Sequence, residues 1–218
     1  DTAGEALARE SRYAAMKTAF VIFHHMTAMD FIGAYDPLTR LKSMGLMSGF
    51  EWDICALTAN VADDKGLHIA PSVVGQPLSH YDLIVVPGGM GTRTLQHDKE
   101  FIAWLRTSEP VRLKASVCTG SLLLGAAGFL KNTRATTNRN AVEELRPYCA
   151  QVVDDRVVDE GGIITARGVT SAIDLGLYLV ERLVGADART RIATQMDYPY
   201  MWQHPASTKG SEIICREV

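Results

Sequence analysis

The sequence predicts an α/β protein built on a mostly parallel sheet with helices on both faces. Three observations predict it. Short continuous apolar runs recur along the chain, with helix-like stretches between them almost throughout. The runs lack polar alternation, which marks strands buried on both sides. Finally, Asp30, Gly88-Gly89 and Cys118 interrupt the pattern just beyond a strand, and sheets of this class bind ligands at those strand ends.

Taken in order, Ala19-Phe20-Val21-Ile22-Phe23 is the first strand. Residues 30–47 carry apolar positions at helical spacing, and Pro37 suits a first helical turn with Asp36 as its N-cap. Residues 52–58 form a second strand, and residues 67–74 a strand pair or irregular excursion broken by Pro71. Asp82-Leu83-Ile84-Val85-Val86 is a third buried strand, ending in Pro87-Gly88-Gly89-Met90-Gly91. Residues 92–106 are helical in pattern. The strand Leu113-Lys114-Ala115-Ser116-Val117 leads to Cys118, and residues 120–127 form a helix after it. Ala135-Thr136-Thr137 reads as a short strand, followed by a helix over 139–145. Val152-Val153 and Val157-Val158, with residues 161–166, form a hairpin-like pair. Thr170 or Ser171 caps a long helix whose apolar face is Ile173, Leu177, Val180 and Leu183, and Gly185 stops it.

No repeat or linker divides the 218 residues, so residues 16–218 read as a single domain and residues 1–15 as an N-terminal arm. A hydrophobic fraction of 47% is ordinary for a globular chain. A net charge of −3 gives no electrostatic case for nucleic acid or an anionic membrane surface, and no apolar run reaches bilayer length. Cys55, Cys118, Cys149 and Cys215 contain no C-x-x-C pair and no histidine at zinc-ligand spacing. Their wide spacing suits free thiols in a reducing compartment, hence a cytoplasmic protein without a metal site.

Cys118 is the candidate nucleophile. A sharp strand-to-helix turn lifts its side chain out of the sheet, and the free N–H groups of the first helical turn favour a thiolate there. Asp30 lies past the first strand among apolar neighbours. Desolvation beside a thiolate would raise its pKa and let it serve as a general acid. Gly88-Gly89 lets backbone N–H groups approach a ligand as an oxyanion site, and it lacks the spacing of a dinucleotide or phosphate loop. Thr119 can bind developing charge through its N–H and contact substrate or water through its hydroxyl. His24 and His25 are the only histidines at the inferred end of the sheet.

The chain resembles the ThiJ/PfpI superfamily, with its class I glutamine amidotransferase-like (flavodoxin-like) three-layer fold, and within it the isonitrile hydratases. The matching stretches are Phe20-Val21-Ile22-Phe23 through Asp30-Phe31-Ile32-Gly33, Val85-Val86-Pro87-Gly88-Gly89 and Val117-Cys118-Thr119-Gly120-Ser121. Arg134-Ala135-Thr136-Thr137 and Gly168-Val169-Thr170-Ser171-Ala172-Ile173-Asp174 extend the match over most of the chain. The resemblance implies Cys118 as nucleophile, Asp30 as the adjoining acid, and N–H donors at the reacting atom from the Gly88, Gly89, Thr119 and Gly120 region. Thr119 stands where the peptidase-like branch has histidine, and Asn138 where family members often have one. The implied reaction is hydration of an isonitrile to an N-substituted formamide, with no metal or organic cofactor, by a homodimer acting on a small molecule. The alternatives are a ligand- or redox-sensing protein and a glyoxalase- or deglycase-like enzyme acting on α-dicarbonyls. Peptide or glutamine hydrolysis is not expected, because no histidine follows the nucleophile to protonate a leaving amine.

Overall fold

The computed structural model describes residues 15–199. Residues 1–14 of the predicted N-terminal arm, with Cys215, Trp202, Tyr200 and His204, lie outside the described residues, and Ala15, the arm's predicted last residue, opens the first strand. Seven strands form the central sheet: β1 (Ala15–Val21), β2 (Gly49–Ala56), β5 (Val73–Val74), β6 (Leu83–Val86), β7 (Leu113–Val117), β10 (Val157–Asp159) and β11 (Ile163–Ala166). Their order is β5-β2-β1-β6-β7-β11-β10, and every pairing is parallel except the antiparallel β10–β11 edge. Two small ladders stand apart: antiparallel β3 (Val61–Ala62) with β4 (His68–Ile69), and parallel β8 (Arg134–Ala135) with β9 (Gln151–Val152). The α/β fold and the buried strands agree with the sequence. All four residues of β6 and all five of β7 are buried, as an interior parallel strand requires.

Helices cover both faces. On one, α1 (Ala28–Ser43) packs against α6 (Ser171–Val184), and α7 (Ala186–Gln195) packs on both. On the other, α2 (Thr92–Leu95) and α3 (Lys99–Arg106) pack with α4 (Gly120–Ala126), and α5 (Val142–Leu145) joins them. From β1 the chain builds outward through β2 and β5, then returns to the other side of β1 with β6. The order therefore reverses between β1 and β6, and the crevice at their carboxyl ends is the ligand position of such sheets.

Several expectations need correction. The first helix begins at Ala28, so Asp36 is not its cap and Pro37 lies inside it. Asp36 instead pairs with Arg40 one turn later, at 2.8 Å. Residues 92–106 are two helices, because Asp98 ends the first stretch and caps the second by accepting the N–H groups of Glu100 and Phe101. Residues 139–145 begin as a 3-10 turn before α5. Val152 pairs with β8 rather than with the β10–β11 hairpin. Helix α7 was not read from the sequence; most of its positions are polar, and its buried side is Ala188, Arg189, Ile192 and Ala193.

The α1–α6 crossing depends on small residues. A Cβ at Gly33 would stand 2.6 Å from the Ala172 Cβ, and one at Gly176 would stand 2.8 Å from Pro37 Cγ. Alanine has the higher helix propensity by about 1 kcal/mol, but overpacking costs about 1–3 kcal/mol. Gly33→Ala is therefore expected to lower the urea midpoint without changing the denaturant slope. A raised midpoint would show that the two helices can part freely.

Candidate active site

Cys118 stands between β7 and α4 with φ +56°, a left-handed conformation that a non-glycine residue adopts only when its surroundings hold it. They do so through the backbone. Its N–H donates to the Ala166 carbonyl at 2.8 Å, and its own carbonyl accepts from Ser121 Oγ and Thr137 Oγ1, both at 3.1 Å. The sharp turn expected from the sequence is present, and it points the thiol into a crowded niche. A Cβ at Gly168 would lie 2.4 Å from the Cys118 Cβ and 3.0 Å from Sγ; one at Gly88 would lie 2.8 Å from that Cβ. The turn rests on β6 through Gly120, where a Cβ would come within 2.3 Å of the Val86 carbonyl oxygen.

Asp30 reaches the same niche from the first turn of α1 and is fully buried. Its Oδ2 accepts the Gly88 N–H at 3.0 Å, while Oδ1 has no nitrogen or oxygen donor. The carboxylate's other side-chain partner is the Cys118 thiol. Burial pushes the Asp30 carboxyl up to about 7, against the pull of the Gly88 and Cys118 hydrogen bonds. Burial also pushes the Cys118 thiol up to about 12, and the Asp30 charge adds to the rise. The Thr119 N–H and the Asn138 side chain act in the opposite direction by supporting the thiolate.

These shifts correct the expected resting state. The raised carboxyl agrees with the sequence, but the low-pKa thiolate does not. Desolvation of the sulfur and the like charge of Asp30 outweigh the helix-start N–H groups. Sulfur keeps its proton near neutral pH, and as pH rises through about 7 the carboxyl beside it ionises and is poised to take that proton. Cys118 is also not distinguished by acidity: Cys55 is raised to about 11 and Cys149 is raised too, each by burial.

The oxyanion expectation changes as well. The Gly88 N–H is bound to Asp30 and the Gly89 N–H to Thr119 Oγ1 at 3.0 Å, so neither is a free donor for substrate. Among the described residues the Thr119 hydroxyl hydrogen-bonds to Gly89, accepting from its N–H and donating to its carbonyl at 3.2 Å. His24 Nδ1 accepts the Ala62 N–H at 3.3 Å, and its side chain lines a separate cavity of about 220 Å³ with Phe23, Leu57, Asp98 and Phe101. The His25 carbonyl accepts from Gly91. Among the described residues the partners of the sulfur are thus Asp30, Thr119 and Asn138, and none is an imidazole. Sequence reasoning missed Asn138 as a donor to sulfur, Thr137 as a brace of the turn, and Gly168 as the niche wall. The only sequence signal for Thr137 and Gly168 was their place in the matching stretches. Trp52 packs against Tyr35, and Trp104 against Phe101.

A family model described as DJ-1/PfpI matches residues 16–182. The chain belongs to the DJ-1/PfpI family. Within that family it is 34% identical over 186 residues to an isonitrile hydratase from Pseudomonas putida, covering 84% of this chain and 79% of the relative. It is 28% identical over 126 residues to a glutathione-independent glyoxalase, DJR-1.2, from Caenorhabditis elegans, covering 56% of this chain and 67% of the relative. A crystal structure of a ThiJ/PfpI family protein from Pseudomonas syringae superposes with a TM-score of 0.78 at 29% identity, over 89% of this chain and 79% of that one. The family frame and the three-layer architecture expected from the sequence therefore hold.

The raised Asp30 carboxyl makes a stability prediction. Its ordinary value is 3.8 and its folded value about 7. Below pH 4 both folded and unfolded states hold the proton and no penalty exists. Between about pH 4 and 7 the unfolded state releases the proton while the folded state keeps it, so stability falls across that window, and above 7 the full penalty, on the order of 4 kcal/mol, is present. Asp30→Asn keeps an acceptor for the Gly88 N–H without that charge. The variant is expected to be more stable than wild type at pH 8 and similar at pH 4, measured by urea unfolding at both. Equal stability at pH 8 would mean that the carboxylate is not desolvated.

Proposed function

We propose that the protein is a cysteine-dependent hydro-lyase that converts isonitriles to N-substituted formamides. The observation that carries this reading is a thiol paired with a buried carboxylate, with no imidazole among the sulfur's partners in the described residues. The 34% identity to an isonitrile hydratase supports it. An isonitrile, R–N≡C, presents a terminal carbon open to a soft nucleophile and has no amine leaving group, so a single carboxyl can manage its protons.

Ionised Asp30 takes the thiol proton as Cys118 Sγ bonds to the terminal carbon. It then delivers that proton to the same carbon, giving the thioimidate R–N=CH–S–Cys118. Asp30 next removes a proton from water as the oxygen adds to that carbon and passes it to nitrogen, giving R–NH–CH(OH)–S–Cys118. Collapse forms the formamide R–NH–CHO, breaks the C–S bond and returns the proton to sulfur. One water is consumed, and enzyme and carboxylate are regenerated. Thr119 and Asn138 support the sulfur whenever it carries negative charge. The working form is taken to be a cytoplasmic homodimer, consistent with apolar side chains left exposed on α1 at Met29 and Ile32.

The test is a panel of isonitriles, α-dicarbonyls and peptides. Formamide production is expected only from isonitriles, with loss in Cys118→Ala. Asp30→Asn is expected to cost about a hundredfold or more in turnover. It is also expected to alkylate faster at Cys118, because removing the neighbouring charge lowers the thiol pKa. Cys118-dependent consumption of methylglyoxal with no isonitrile turnover would assign the same dyad to a glyoxalase-type reaction instead.

A further inference from the structure

The cavity lined by His24 takes no part in the hydration mechanism. It has a volume of about 220 Å³ and lies where the chain leaves β1 and β2, at the carboxyl end of the sheet and beside the β1–β6 crevice. Ile22, Phe23, Leu57, Leu95 and Phe101 give it an apolar lining. Ile22 and Phe23 continue β1, Leu57 follows β2, Leu95 ends α2, and Phe101 stands in the first turn of α3. Ile22, Phe23 and Phe101 are buried, and the Phe23 and Phe101 rings meet edge to face at 5.8 Å. The floor is therefore part of the packed core. The volume falls below the roughly 300–1,000 Å³ of a drug-sized site, so it suits a single ring or a short branched chain.

The charged part of the lining has one sign. Asp98 and Glu100 border the cavity and are exposed, and neither has an ion pair among the described residues. No lysine or arginine among the described residues lines it. Asp98 Oδ1 accepts the N–H groups of Glu100 and Phe101 at 2.9 and 3.1 Å. A carboxylate thus already occupies the start of α3, and its charge opposes a second anion there. The Ala62 N–H holds His24 in the wall through Nδ1. A buried apolar floor under two unpaired carboxylates is complementary to a cation on an apolar body, and aromatic rings in the lining add to that attraction.

We propose that this cavity is a second binding site and takes a small organic cation, an ammonium group carried on one aromatic ring or a short branched chain. The apolar body packs on Phe23 and Phe101, and the charged head faces Asp98 and Glu100 at the mouth. The site is separate from the Cys118 niche and does not depend on the reaction carried out there.

The test titrates the full chain with 2-phenylethylamine, 2-phenylethanol and phenylacetate, which share a ring and end in a positive, neutral or negative group. Binding is followed by backbone amide chemical shifts. The amine is expected to give saturable shifts at Leu57, Leu95, Glu100 and Phe101 and to bind about fivefold more tightly than the alcohol. Phenylacetate is expected to give none, and added salt to weaken the amine alone. In the double variant Asp98→Asn, Glu100→Gln the advantage of the amine is expected to vanish while binding of the alcohol is unchanged. Asparagine caps a helix as well as aspartate does, so this variant keeps the start of α3. The proposal is overturned by equal binding of amine and alcohol to wild type, or by an advantage that survives the double substitution. Absence of saturable shifts with the amine, or shifts centred on the residues around Cys118, overturns it too. Isonitrile turnover plays no part in the readout, so the outcome is separate from that of the hydratase reading.

Discussion

A carboxyl and a thiol buried together with one proton between them is the constraint on which the site depends. Neither group is at ease there. Water has been removed from both, and ionising either one opposes ionisation of the other. Asp30 ionises first because the Gly88 N–H supports its charge and because a carboxylic acid starts several units below a thiol. Above about pH 7 the pair therefore rests as carboxylate and thiol. That arrangement stores no free thiolate that could be oxidised at rest, and it makes the nucleophile only as the proton leaves.

The fold supplies the rest by close packing rather than by many polar contacts. The switch in strand order brings the ends of β1 and β6 side by side, so that Asp30 on α1 and Gly88 after β6 meet. Neighbouring β7 brings Cys118 to the same end. The niche is then closed by positions where any side chain would collide, Gly88 and Gly168 above all. Hydrogen bonds to both backbone groups of Cys118 hold its left-handed turn in place. The glycines that first look like donors to a ligand thus serve mainly to hold the dyad, and the Gly89–Thr119 clasp ties the β6 and β7 turns together.

Much of this was legible in the sequence. The apolar runs at β1 and β6 announce a buried parallel sheet, because few other environments take consecutive apolar residues of that length. Cys118 at a strand-to-helix junction announces the elbow. What could not be read is what depends on three-dimensional neighbours. Whether helix-start N–H groups or desolvation wins at the sulfur is decided by how deep the thiol sits, and depth leaves no pattern along the chain. The commitment of the Gly88 and Gly89 amides follows from Asp30 and Thr119 arriving from distant segments. Helix α7 was missed because its few apolar positions are too sparse to show a periodic face, and the start of α1 because Pro37 imitates a first helical turn.

The location of the shared proton can be observed directly. Infrared difference spectra of wild type against Cys118→Ala and Asp30→Asn separate the S–H stretch of Cys118 from the protonated-carboxyl band of Asp30 across a pH titration. The S–H band is expected to persist at pH 8, while the carboxyl band grows only as pH falls through about 7. A missing S–H band together with a carboxyl band that survives at pH 8 would place the proton on Asp30 and contradict the resting state from which the chemistry starts.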